Sequence, residues 1–152
     1  AILLFDSDKE ANVAQAIGKF YQNKKQTEKA ICFYELALQK EVGVVETNLL
    51  LLQAYTSAQQ FQKVVQKAEE GIELYPAQAY FYYYLGLANN QLRQFNKAKT
   101  SLEAGLDFVI DDLDLEINFN LQLAEAYNGL GDFKKKDSFF AKANQLIQKK
   151  KK

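Results

Sequence analysis

A period of about 34 residues runs through this chain, and it restricts the possible folds more than any other feature of the sequence. Residues of matching character recur at this step in three registers: Ile17, Leu51 and Leu85; Ala30, Val64 and Ala98; Ala37, Gly71 and Gly105. The step lengthens by four residues before the last unit, where Leu123 follows Leu85. Self-similarity at a fixed period of this length is typical of stacked repeats, in which each unit packs only against its neighbours. The sequence therefore predicts a repeat array and disfavours a globular catalytic domain.

Each unit contains two apolar stretches with the period of an α-helix. In the third unit the first stretch covers residues 79–92 and ends at the polar pair Arg93 and Gln94. A second stretch begins at Phe95. The unit is therefore expected to form two helices joined by a short turn.

Small residues recur within these stretches, although glycine in a helix interior costs about 1 kcal/mol relative to alanine. Gly86, Ala98 and Gly105 occupy such places in the third unit, with Leu85 and Leu102 as large neighbours. Two helices approach closely only where side chains are short. The recurrence in successive units therefore predicts tight helix packing at these positions.

The pattern resembles the tetratricopeptide repeat (TPR), a helix–turn–helix unit of about 34 residues with a large–small pair in its first helix and a small–large–small series in its second. The matching residues are Ile17, Gly18, Tyr21, Ala30, Tyr34, Ala37 and Leu38 in unit one; Leu51, Leu52, Tyr55, Phe61, Val64, Ala68, Gly71, Ile72 and Pro76 in unit two; Leu85, Gly86, Asn89, Phe95, Ala98, Leu102, Gly105 and Leu106 in unit three; and Leu123, Ala124, Tyr127, Gly131, Asp132, Phe133, Phe140 and Ala143 in unit four. The resemblance covers nearly the whole chain.

Several positions depart from the family pattern. Leu52 and Lys136 stand where the family has small residues, and the terminal proline occurs once, at Pro76. The early aromatic residue is present in unit three as Tyr82; units one, two and four have Ala14, Asn48 and Asn120 instead. These departures are scattered and leave the repeat pattern recognisable.

The resemblance implies an all-α fold, an α-α superhelix of about eight antiparallel helices. The expected repeats are 11–44, 45–78, 79–112 and 117–148. Residues 1–10 are interpreted as the remnant of a preceding repeat or an N-terminal cap, with a turn at Asp6-Ser7-Asp8. Residues 149–152 are interpreted as a basic tail at a frayed helix end.

The four extra residues before unit four lie between Phe108 and Glu116. Four residues are about one helical turn, so the insertion is expected to lengthen a helix without rotating its buried face. Asp111, Asp112 or Asp114 is the expected N-cap of the seventh helix. The alternative of a calcium loop is disfavoured, because Leu113 stands where an oxygen ligand is needed.

Composition argues against catalysis and bound cofactors. The chain of 152 residues has no histidine and a single cysteine, Cys32. This removes histidine-based acid–base chemistry and the common zinc sites. The sequence predicts no enzyme activity, no cofactor and no metal. Cys32 is expected to pack as a small apolar group, with a reactive thiol as the alternative.

Net charge and hydropathy limit the kinds of partner that the sequence predicts. The 19 basic residues balance the 19 acidic ones, and no apolar run reaches the ~20 residues needed to cross a bilayer. Protein or peptide partners are therefore expected, without a nucleic-acid partner or a membrane span. The sequence leaves the cellular location open.

In the resembled family the first helices line a concave groove, and helical phase selects the side chains that would face it. Most of them are amides or hydroxyls, which can bond an extended backbone, and a few are apolar. The expected groove residues are Asn12, Gln15, Lys19, Gln22, Asn23, Leu49, Gln53, Thr56, Tyr80, Tyr83, Leu87, Asn90, Gln91, Leu121, Glu125 and Asn128.

A family subtype that grips a terminal carboxylate uses a Lys, Asn, Asn, Lys, Arg set. The matching places here hold Gln15, Lys19, Leu50, Tyr80 and Tyr84. Only one of the five is basic, so a carboxylate clamp is not expected.

Three functions follow, in order of preference. The first is a non-catalytic scaffold that binds a partner segment in the groove. The second is self-association through apolar faces on the end repeats, at Leu3-Leu4 and at Phe139 and Ile147. The third, binding of single-stranded nucleic acid, ranks last because the expected groove is nearly neutral.

Overall fold

The computed structural model describes the backbone of residues 2–41 and 44–152 and the side chains of residues 8–41 and 44–152. Within these ranges the regular structure consists of eight α-helices and no strand. They are α1 (Ile2–Asn23), α2 (Thr27–Lys40), α3 (Val45–Ser57), α4 (Phe61–Leu74), α5 (Ala79–Gln91), α6 (Phe95–Leu106), α7 (Leu113–Gly129) and α8 (Phe133–Lys151). The predicted all-α fold is confirmed, as are the expected starts of α5 and α6.

The turns within the helix pairs share one backbone conformation. Lys25, Gln59, Arg93 and Gly131 have positive φ angles of 59°, 58°, 61° and 76°. The first three recur at the regular step of the repeat and Gly131 at the longer one, so the sequence period is also a period of backbone geometry. Only Gly131 adopts this left-handed conformation without the steric cost that a Cβ atom brings.

The insertion before α7 lengthens that helix, as predicted. α7 has 17 residues, whereas α3 and α5 have 13 each. Asp112 is the N-cap, and its Oδ1 accepts a hydrogen bond from the Leu115 backbone N–H at 3.0 Å. This bond satisfies one of the unpaired donors at the helix start.

Glycine positions mark close helix approaches, also as predicted. A Cβ atom built on Gly18 would lie 2.6 Å from Cε1 of Tyr34, and one on Gly86 would lie 2.9 Å from Cδ1 of Leu102. Both distances are shorter than real Cβ contacts. A larger residue at either position would force the helices apart.

The two ends of the array differ from the expectation. α1 runs without interruption through residues 6–8, so the predicted turn there is not formed. Asp and Ser each cost a helix only a few tenths of a kcal/mol, and a helix already nucleated propagates through them. At the other end α8 remains helical to Lys151 rather than fraying at 149, and Lys150 pairs with Asp114.

Cys32 corrects a second expectation, because it is exposed. On α2 the buried positions are Ala30, Ile31, Tyr34 and Ala37, which share one face. Cys32 points to the opposite face, roughly 160° away from both Tyr34 and Ala30 at ~100° per residue. The helix therefore buries its neighbours and not the thiol.

The chain divides into two compact units between Lys67 and Ala68, inside α4. In the first unit the largest fully buried side chains are Tyr34, Leu51, Leu52 and Val64. In the second unit a continuous apolar cluster joins α5, α6 and α7; its buried members are Ala79, Ala98, Leu102, Leu115, Phe119, Leu123, Ala126 and Tyr127. None of the helices in the described part of the chain is both long and apolar enough to cross a membrane.

Candidate functional site

Side chains from the predicted groove set join α5 to α7 in the second unit. The Tyr80 hydroxyl donates a hydrogen bond to Oδ2 of Asp112 at 2.5 Å. Farther along α5, Nδ2 of Asn90 lies 2.9 Å from both the backbone oxygen and Oε1 of Gln122. The predicted residues therefore lie along the junction of these two helices.

Between these two bonds lies a partly apolar surface. Tyr83 is half-buried, with its ring 5.8 Å from that of Phe119 and 5.3 Å from that of Tyr84. Leu87 and Leu121 are also half-buried. The exposed members of the predicted set in this unit are Gln91, Glu125 and Asn128. The arrangement offers apolar contact area with amide and carboxylate groups beside it.

Asn90 does not face solvent as expected. Its side chain is only 5% exposed, and its amide donates to Gln122. This corrects the expectation that the Asn90 amide is free to bind a ligand. Its role in the structure is to hold α5 against α7.

Residues of the predicted set also join α1 to α3 in the first unit. Nε2 of Gln15 donates to Oγ1 of Thr47 at 2.8 Å, and Nζ of Lys19 lies 2.8 Å from Oε1 of Glu46. The Lys19 ammonium also holds the pKa of the Glu46 carboxyl below its ordinary value. Lys19 is the one basic residue at the carboxylate-clamp positions, and this ion pair partly neutralises it.

Other residues of the predicted groove set in the first unit do not join α1 to α3. Gln22 accepts a hydrogen bond from the Tyr34 hydroxyl of α2, and the Thr56 hydroxyl donates to the Leu52 carbonyl of its own helix. Asn12, Asn23 and Gln53 are exposed and Leu49 is half-buried. The surface available in the first unit is therefore formed by fewer residues than the sequence predicted.

Sequence reasoning missed the partners of these contacts, namely Thr47, Asp112 and Gln122. Each forms its hydrogen bond with a residue 32 positions earlier in the chain. This separation is two residues short of the 34-residue step from α1 to α3 but six short of the 38-residue step from α5 to α7, so the register of the repeat does not identify these partners.

The Tyr80–Asp112 hydrogen bond changes the ionisation of both groups. Hydrogen bonding to Asp112, followed by burial, raises the pKa of Tyr80 to about 12. The same hydrogen bond, with the one from the Leu115 N–H, lowers the pKa of Asp112 from its ordinary value of 3.8. The contact is therefore strongest between a neutral tyrosine, which donates, and an ionised aspartate, which accepts.

We expect Tyr80→Phe to destabilise the protein in the neutral range but to have little effect at either extreme of pH. Asp112 has a depressed folded pKa, so its contribution is present above 3.8 and disappears as pH falls through the folded value. Tyr80 has a raised folded pKa, so its contribution is complete below 10.0 and disappears as pH rises through about 12. Thermal melting of both proteins across this pH range measures the difference.

Tyr82→Phe is the matched control, because the Tyr82 hydroxyl donates at 2.7 Å to the Pro76 carbonyl, which does not titrate. A Tyr80→Phe effect that stays constant from pH 3 to pH 8, like that of the control, would show that ionisation of Asp112 contributes no pH dependence to the contact.

Comparison with known proteins shows the fold. Neither the known family models nor the curated protein sequences match this chain. Solved structures of MamA are similar. A crystal structure of MamA has 21% sequence identity and a TM-score of 0.80, covering 95% of this chain and 83% of the MamA chain.

Two further MamA structures agree with this result. MamA from Desulfovibrio magneticus RS-1 has 19% identity and a TM-score of 0.79, covering 91% of this chain and 76% of that one. MamA of MSR-1 has 19% identity and a TM-score of 0.75, covering 92% and 78%. At these identities the likeness concerns the fold alone, and the chain has an all-α helical-repeat fold similar to that of MamA.

Proposed function

We propose that this chain is a non-catalytic scaffold of TPR type that binds a peptide or an extended segment of a partner protein. The observation that carries the proposal is the surface along α5 and α7. Its polar side chains at Tyr80 and Asn90 are used to join the helices, and Tyr83, Leu87 and Leu121 lie between them. Such a surface gives a rigid apolar contact area for a side chain of the partner.

The exposed groups beside this apolar contact area supply the polar contacts to a bound peptide. Gln91 and Asn128 offer both donors and acceptors, and Glu125 offers a carboxylate. An extended peptide backbone presents N–H and C=O groups that match such side chains. Tyr83 adds the residue type that is enriched where protein interfaces bind most strongly.

The repeat organisation is part of the same proposal. We propose TPR units at 11–44, 45–78, 79–112 and 117–148, flanked by residues 1–10 and 149–152. The uniform turn conformation at Lys25, Gln59, Arg93 and Gly131 supports these units. The absence of histidine from the sequence supports a role without acid–base catalysis.

Affinity capture with matched charge variants tests the surface. Gln91→Arg with Glu125→Arg changes two exposed side chains of the surface and adds three positive charges. Gln66→Arg with Glu69→Arg adds the same charge on the exposed side of α4. We expect the wild type and the α4 variant to capture the same partner proteins. The surface variant should bind those partners at least about tenfold more weakly, a loss of about 1.4 kcal/mol of binding free energy.

Thermal melting of each variant establishes that all three proteins are equally folded. If the surface variant captures the same proteins in the same amounts as the wild type, the α5–α7 surface is not the binding site.

A further inference from the structure

A tyrosine recurs at one register of the repeat but is missing from α5. It is Tyr21 on α1, Tyr55 on α3 and Tyr127 on α7, whereas Asn89 holds this place on α5. Tyr55 and Tyr127 are only 6% and 5% exposed, so their rings belong to the packing of their units. The third unit therefore lacks a ring that the other three units contain.

A lysine accompanies each of these tyrosines, eight residues later in the chain. Its ammonium nitrogen lies over the ring, where the negative face of the aromatic system attracts a cation. The pairs are Lys29 with Tyr21, Lys63 with Tyr55 and Lys135 with Tyr127, at 5.2, 5.6 and 5.2 Å from nitrogen to ring centroid.

A glutamate accepts a hydrogen bond from the tyrosine hydroxyl on α3 and on α7. The Tyr55 hydroxyl donates to Oε1 of Glu35 at 2.5 Å, and the Tyr127 hydroxyl donates to Oε1 of Glu103. The ring thus lies between a carboxylate at its hydroxyl end and a cation over its face.

The third unit keeps the carboxylate and the cation without the ring. Lys97 stands one repeat after Lys63, and Glu69 stands one repeat after Glu35. Both side chains are exposed, and together with Asn89 they line a single cleft. The two polar partners of a tyrosine are therefore present where the tyrosine is absent.

This cleft lies within the second unit and is formed by the end of α4 with α5 and α6. Its volume is about 490 Å³, and Ile72 and Leu85 give it apolar walls. Sites for small molecules typically have volumes of roughly 300–1,000 Å³, with mostly apolar walls and a few polar groups. The size and lining of the cleft therefore suit a small aromatic molecule.

A second ring is also missing beside the first. Tyr21 stacks on Phe33 at 5.5 Å, and Tyr127 stacks on Phe139 at 5.4 Å. The same register holds Ser101 in the third unit, and Ser101 lines the cleft. The small serine leaves additional space next to the place of the missing tyrosine.

The stacking of Phe139 bears on the apolar end faces expected from the sequence. Phe139 and Ile147 are both half-buried. The side chains of Leu3 and Leu4 lie outside the described residues. Self-association through the end repeats stays a prediction.

We propose that the cleft binds a small phenol, whose ring takes the place of the missing tyrosine. The phenol hydroxyl would donate to the Glu69 carboxylate, and the ring face would meet the Lys97 ammonium. The cleft shares no residue with the α5–α7 surface, so the proposal does not depend on peptide binding.

The direction of the ring favours a free molecule over a tyrosine of a partner protein. Tyr127 is attached at a buried position and its hydroxyl reaches outward to Glu103, which is exposed. A partner's tyrosine would enter from outside and bring its backbone, not its hydroxyl, to the equivalent Glu69. A free phenol has no backbone and lies in the orientation that the carboxylate requires.

Titration with p-cresol, the tyrosine side chain without its backbone, tests the proposal by heteronuclear NMR. We expect the amide signals of residues that line the cleft, such as Ile72 and Ala104, to shift. Toluene differs from p-cresol only in lacking the hydroxyl, and should bind at least about threefold more weakly. Glu69→Ala with Lys97→Ala leaves the net charge unchanged and should weaken p-cresol binding at least about fivefold.

Asn89→Tyr fills the cleft with a ring of the chain itself. We expect this variant to melt at a higher temperature than the wild type and to lose p-cresol binding. Asn144→Tyr is the control, because Asn144 is exposed on α8 and lies outside the cleft. The control should bind p-cresol as the wild type does and gain no stability.

Four outcomes would overturn the proposal. They are p-cresol shifts absent from the cleft, toluene binding as tight as that of p-cresol, wild-type affinity in the double alanine variant, and p-cresol binding by a folded Asn89→Tyr. The alanine variant changes only exposed side chains, so its result does not depend on how Asn89→Tyr folds. Tighter binding of N-acetyltyrosinamide than of p-cresol would also overturn the assignment to a free phenol, and would assign the cleft to a tyrosine of a partner chain.

Discussion

Replacing Phe119 with alanine is expected to destabilise the second unit by about 3–5 kcal/mol, the range measured for truncation of buried aromatic residues. Phe119 is fully buried in the cluster that joins α5, α6 and α7. Its ring contacts that of Tyr83 at a centroid distance of 5.8 Å. Alanine would lose the apolar burial and leave a cavity that three tightly packed helices cannot fill.

Urea denaturation followed by circular dichroism measures this loss, and Phe140→Ala is the matched control. Phe140 has the same side chain but is 50% exposed, so its truncation should cost about 1 kcal/mol. Equal losses for the two variants would contradict the central position of Phe119 in this unit.

Replacing Gly105 with valine is expected to destabilise the protein by about 3 kcal/mol, at the upper end of the range for overpacking. A Cβ atom there would meet Cβ of Tyr82, and would lie 2.9 Å from Cε1 of Phe119. The obstacle at Tyr82 is next to the backbone and cannot turn aside as the tip of a long side chain could. The α5–α6 and α6–α7 contacts would both have to open.

Ala104→Val isolates the helix-propensity part of this effect. Ala104 precedes Gly105 on α6 and is exposed, so valine there loses only about 0.5 kcal/mol of propensity. Denaturant midpoints of the two variants, compared with the wild type, give the difference. If Gly105→Val is no less stable than Ala104→Val, the helices have room at Gly105 and the close approach is not tight.

Much of the fold follows from local sequence patterns. The end of the apolar stretch before Arg93 and its resumption at Phe95 predict the boundary between α5 and α6, because helical periodicity is a local property. The lengthening of α7 also follows, since four residues add about one turn. The prediction of a turn at residues 6–8 was wrong, because Asp and Ser permit a turn without requiring one.

The candidate site was less predictable. Helical phase placed Asn90 in the groove set, yet it is buried against Gln122 of α7. Tyr80 was expected to contact a ligand and donates to Asp112. Phase gives the direction of a side chain around its own axis. It does not give the distance to the next helix, which decides whether the side chain meets solvent or a partner.

The sequence by itself determined the helical repeat, the turn between α5 and α6 and the small residues at close contacts. These features depend on periodicity and on side-chain size, and both can be read directly from the amino-acid sequence. Only the tertiary structure decided that Asn90 is buried, that Cys32 is exposed, and that Val13, Phe20, Phe133 and Phe140 are uncovered. Equivalent positions in a repeat carry similar residues, but their exposure depends on whether a neighbouring helix packs against them.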